Sequence, residues 1–135
     1  MNTTTLELGL RFAGILLTGL VVANFVAVKS LRYADNLKSA ERLVRQIFYV
    51  HSGYIVGIIA ALAILCLFWP TLLIDGSALS RALAGFFTVF WGSRVFIQLL
   101  YYDREVRRNE RAWDVFFLGV FAILSTVFAL ATIYQ

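Results

Sequence analysis

The sequence predicts an all-α integral membrane protein, a single domain of four transmembrane helices packed as a bundle. Three observations carry that prediction. Of 135 residues, 61% are hydrophobic and only 15% charged, a balance that leaves too little polar surface for a water-soluble domain. The apolar residues fall into four runs, each about as long as the roughly 20 residues a helix needs to cross the hydrocarbon. A single proline and the lack of strict apolar–polar alternation make these runs helices rather than barrel strands.

The first span is expected over 6–28, the second over 47–69, the third over 79–102 and the fourth over 112–134. Glu7 and the absence of a basic stretch before it distinguish the first run from a cleaved signal peptide, so it is expected to be retained. The second run carries no formal charge, and Pro70 follows where a helix has to stop. The short connection 71–78, with Asp75-Gly76, reads as a tight turn that makes the second and third helices antiparallel neighbours.

Lys29, Arg32, Lys38, Arg42 and Arg45 crowd the first connection, and Arg104, Arg107, Arg108 and Arg111 the third, whereas the second has neither lysine nor arginine. Such asymmetry puts the first and third connections in the cytoplasm and both termini outside, in the bacterial inner membrane. The net charge of +4 therefore speaks for topology and lipid contact, not nucleic acid. In the first connection, 34–45 has Leu37, Leu43 and Val44 at near-helical spacing, as a short interfacial helix would. Trp69, Trp113, Tyr33, Tyr101, Tyr102 and Tyr134 lie at the span ends as an aromatic belt.

Lipid competes for apolar side chains, so small and polar residues must hold the helices together. Gly53 and Gly57, with Ala61 a turn on, form a small-residue face expected to pack the bundle or, alternatively, to form a seam between chains. Gly14, Gly19, Ala23, Gly85, Gly92 and Gly119 are further small positions. Glu7 and Arg11, four apart, are placed to neutralise each other.

Asn24, His51 and Gln98 come to about the same depth, roughly 6 Å from the basic-loop side, with Arg94 deeper at about 12 Å. Tyr54 follows His51 by a turn, and Arg94, Gln98 and Tyr101 share one face of the third helix. Asn24, His51, Tyr54, Arg94, Gln98 and Tyr101 are therefore the candidate binding residues. One reading is structural, with Arg94 paired to Asp114 or Asp103 and Asn24 bonded to His51. The other is a pocket for the polar head of a lipid-like or anionic ligand, with the arginine fork as clamp. His51, the only histidine, is the only candidate metal ligand, for haem, pigment or zinc. Cys66 is the only cysteine, which excludes an internal disulfide. No catalytic constellation is present in the sequence, and no particular cofactor is indicated.

Glu41-Arg42-Leu43-Val44-Arg45, and Arg94 with Tyr101 seven residues on, resemble motifs of the membrane-associated proteins of eicosanoid and glutathione metabolism. That family is likewise short and four-helical. The resemblance implies a trimer that binds glutathione or a lipid electrophile between subunits, with Arg45, Arg94 and Tyr101 near the thiol cofactor. The family's Asn and Glu further along the second helix fall here on Tyr49 and Ser52.

Two function classes follow from these readings. The first is a non-catalytic accessory or structural subunit of a larger membrane complex, its partners being lipids and other membrane subunits. The second is a homo-oligomeric enzyme or binder of an anionic amphiphile, with a His51-ligated haem or pigment protein as a further alternative.

Overall fold

The computed structural model describes residues 2–30, 32–101 and 111–135. Five α-helices are described: α1 (Thr3–Ser30), α2 (Tyr33–Asn36), α3 (Arg42–Phe68), α4 (Ala78–Leu100) and α5 (Arg111–Tyr134). All but α2 are long and apolar enough to cross a membrane, the architecture of an integral membrane protein. The expected spans sit inside these helices almost residue for residue. Tyr102 and the charges Asp103, Arg104, Glu105, Arg107, Arg108 and Glu110 lie outside the described residues.

Segment 34–45 does not form one continuous helix. A single turn at α2 gives way to turns over 37–39, and Arg42 and Arg45 already belong to α3. Isolated helices this short are marginal in water, and extending α3 downward gives the basic residues a helix already held by its apolar length.

Pro70 begins a 3-10 turn (Pro70–Leu73) that closes α3. Asp75 then accepts from the Ser77 amide at 2.8 Å, and Ser77 Oγ accepts from the Ser80 amide at 3.1 Å, a side-chain cap on the first turn of α4. Gly76 between them has φ of 78°, a left-handed conformation that glycine adopts without a Cβ clash. The two Ser77 bonds, side chain first, hold the exposed Asp75 carboxyl below the usual carboxylate range.

Sequence neighbours are not packing neighbours throughout. The extensive interfaces are α4 with α5 and α1 with α3, and α1 joins the pairs through α5. Helices α3 and α4 meet mainly through the 3-10 turn, which corrects the expectation that the tight connection makes them packed neighbours. Gly14 explains the α1–α3 seam: a Cβ there would come within 2.7 Å of Leu67 Cγ and 3.2 Å of the Ala63 carbonyl. Gly92 serves α4–α5, where a Cβ would come within 3.3 Å of Ser125 Oγ, which donates to the Thr88 carbonyl at 3.0 Å.

The core is one-sided. On α1 it ends at Leu20, and on α3 it begins at Ile59. No residue of α1 after Leu20 and none of α3 before Ile59 is buried, so the bundle is tight at the 3-10 turn and open at the basic end. Arg11 reinforces the tight end by donating to the Leu67 carbonyl at 2.6 Å, satisfying an orphan carbonyl in the last turn of α3. It therefore caps a neighbouring helix instead of pairing with Glu7.

Candidate functional site

The polar residues at the open end divide among the helices. On α1, the Asn24 amide donates to the Leu20 carbonyl at 2.8 Å. On α3, the His51 Nδ1 lies 3.1 Å from the Ile47 carbonyl. Each bonds the preceding turn of its own helix, so the expected Asn24–His51 bond is replaced by two local ones. His51 is exposed, and no group of three His, Cys, Asp or Glu side chains suited to a metal occurs among the described residues. Tyr54 is also exposed, as is Tyr101, the C-cap of α4.

Helix α4 has a different environment. Gln98 is buried, 4% exposed, and its amide donates to the main-chain oxygen of Asp114 at 2.7 Å and to its carboxylate at 2.8 Å. Thus Asp114, expected beside Arg94, is bound by Gln98. The half-buried Arg94 instead places its Cζ 5.3 Å from the centroid of the Phe121 ring. Among the described residues no carboxylate lies within ion-pairing distance of it; the ion pair recorded there is Lys38–Asp35 at 2.6 Å.

Phe121 is the end of an aromatic ladder on α5 that sequence reasoning missed. Trp113 stacks on Phe117 and Phe117 on Phe121, and Trp91 of α4 completes the stack at 5.7 Å and 20°. The signal was present as aromatic residues at i, i+4 and i+8, a spacing that puts side chains on one helix face. Trp91 is 2% exposed, and its indole N–H has no hydrogen-bond acceptor among the described residues. The guanidinium thus reaches the ring on which Trp91 stacks. An unpaired arginine in mid-helix costs about 2.5–3.5 kcal/mol or more, and a cation–π contact returns only about 0.5–2 kcal/mol. The unmet indole adds a cost of about 1–3 kcal/mol. This seam therefore holds donors whose demand the described residues do not meet.

The small-residue face of α3 is the second unusual surface. A Cβ added at Gly53 or Gly57 would meet nothing within 4 Å. Tyr49, Val50, Tyr54 and Ile58 wall a shallow groove floored by Gly53, Gly57 and Ala61. The expectation that this face packs the bundle is thereby corrected: α3 turns Ile59, Leu62, Ala63 and Cys66 to the core and directs its glycines outward.

No protein-family model, no curated protein and no solved structure matches the chain.

Proposed function

We propose that the protein is a non-catalytic assembly subunit of a larger membrane complex, and that it binds its neighbour through the glycine face of α3. The observation that carries this reading is the outward groove at Gly53, Gly57 and Ala61, which lets a second helix backbone approach closely. In lipid, close backbone approach is a main source of helix association, since apolar area alone gives no preference for protein over acyl chain. A face of small residues left to lipid forgoes that packing; against another helix it realises it.

In the same reading the protein sits in the bacterial inner membrane with its basic connections in the cytoplasm and both termini outside. The open end then lies in the inner leaflet, where Arg42 and Arg45 at the start of α3 meet anionic headgroups.

Gentle detergent extraction followed by native-mass measurement tests the proposal. The expected particle exceeds one chain plus its lipid shell. A lone monomer that never co-purifies with another chain would overturn it.

A further inference from the structure

From the Arg94 seam we infer that the partner in this complex is a different chain, one whose transmembrane helix carries an aspartate or glutamate near its middle. The inference rests on the assembly reading and specifies the partner's chemistry.

Charge complementarity is the first ground. Arg94 holds a full positive charge against an aromatic ring, and among the described residues no carboxylate reaches it. The buried indole N–H of Trp91, packed on that same ring, also has no acceptor among the described residues, so the seam has no spare acceptor of its own for the guanidinium. The accessible donor of the seam is the half-buried guanidinium, and a carboxylate supplies both negative charge and two acceptor oxygens that match its fork.

Access is the second ground. Arg94 lies on a stripe of α4 with Phe90 and Ile97, which are 38% and 40% exposed. Ser93 beside it is small and exposed, so a helix can approach this edge. Depth argues against a phospholipid, because the guanidinium reaches the Phe121 ring on which Trp91 stacks, whereas a phosphate group stays at the interface.

A second copy cannot supply the counter-charge. The eight acidic residues of the sequence are Glu7, Asp35, Glu41, Asp75, Asp103, Glu105, Glu110 and Asp114. Glu7, Asp35, Glu41, Asp75 and Asp114 lie in connections or near helix ends, and Asp103, Glu105 and Glu110 fall in the sequence between α4 and α5. Homo-oligomerisation leaves the arginine unneutralised, so the complement has to come from another sequence.

The test uses the full chain in phosphatidylcholine vesicles with a synthetic Leu/Ala helix of about 20 apolar residues. The helix carries one central Glu or, as control, one central Gln, and association is followed by energy transfer. The Glu helix is expected to bind about tenfold tighter than the Gln helix, the ratio one charge-assisted contact supports. Arg94→Leu should abolish that preference and Arg94→Lys should retain part of it. Equal binding of the two helices, or a preference that survives Arg94→Leu, would overturn the inference; so would loss of the preference when phosphatidylglycerol is added, which would make a lipid anion the occupant. Should Arg94→Leu fail to insert, comparing Arg94→Lys with Arg94→Gln gives the same decision. Gly57→Ile separates the two proposals: if it disrupts the native complex while wild type shows no Glu preference, the assembly reading stands and this inference falls.

Discussion

Gln98 on α4 donates both bonds of its amide to Asp114 on α5, one to the main-chain oxygen and one to the carboxylate. This link ties the fourth span to the third at the end where the rest of the bundle opens. Replacing Gln98 by Leu should destabilise the fold by about 1 kcal/mol, within the roughly 0.6–1.7 kcal/mol measured for interhelical hydrogen bonds in membranes. Asp114→Ala should also destabilise, since it removes the carboxylate that accepts from Gln98. Reversible unfolding in mixed micelles measures both.

Glycines on the two sides of α3 should respond oppositely to the same change. Gly14→Ala on α1 forces a Cβ against the Leu67 side chain and should cost about 1–3 kcal/mol, as overpacking does. Gly53→Ala meets open space and should leave the isolated chain unchanged or stabilise it by up to about 1 kcal/mol through helix propensity. The same unfolding assay compares them.

Acid should loosen the turn before α4. The Asp75 pKa is depressed in the folded protein because its carboxylate accepts from Ser77. Its contribution is thus present above the unfolded value, about 3.9, and is lost as pH falls through the lower folded value. Asp75→Asn should remove that acid dependence, and a pH series of unfolding midpoints on both proteins tests it.

Arg11→Leu should weaken the tight end. Loss of the bond to the Leu67 carbonyl is expected to cost about 0.5–1.5 kcal/mol and to raise hydrogen exchange in the last turn of α3. Glu7→Gln should leave that exchange unchanged, since Glu7 is not the arginine's partner.

The spans were legible because length and hydropathy alone decide whether a helix can cross a bilayer. Helix adjacency was not, because lipid accepts any apolar face and a tight connection constrains only the helix ends: α3 and α4 are joined at Asp75-Gly76 yet pair with α1 and α5. That Gln98 and Arg94 need partners was readable from their place inside an apolar run. The direction of each bond was not, since Asn24 and His51 have acceptors in their own helices that the count of residues per span does not reveal. The groove at Gly53 and Gly57 was visible as a spacing, but which way it faces depended on how α3 buries Ile59, Leu62 and Cys66.

The central claim is that α3 is an assembly face, and particle mass after gentle extraction tests it most directly across three proteins: wild type, Gly57→Ile and Gly19→Ile. Gly19 is a useful control because it is equally open, with nothing within 4 Å of an added Cβ, yet lies on α1 away from the groove. The account predicts an assembly for wild type and Gly19→Ile and a single chain for Gly57→Ile. One mass shared by all three would contradict it.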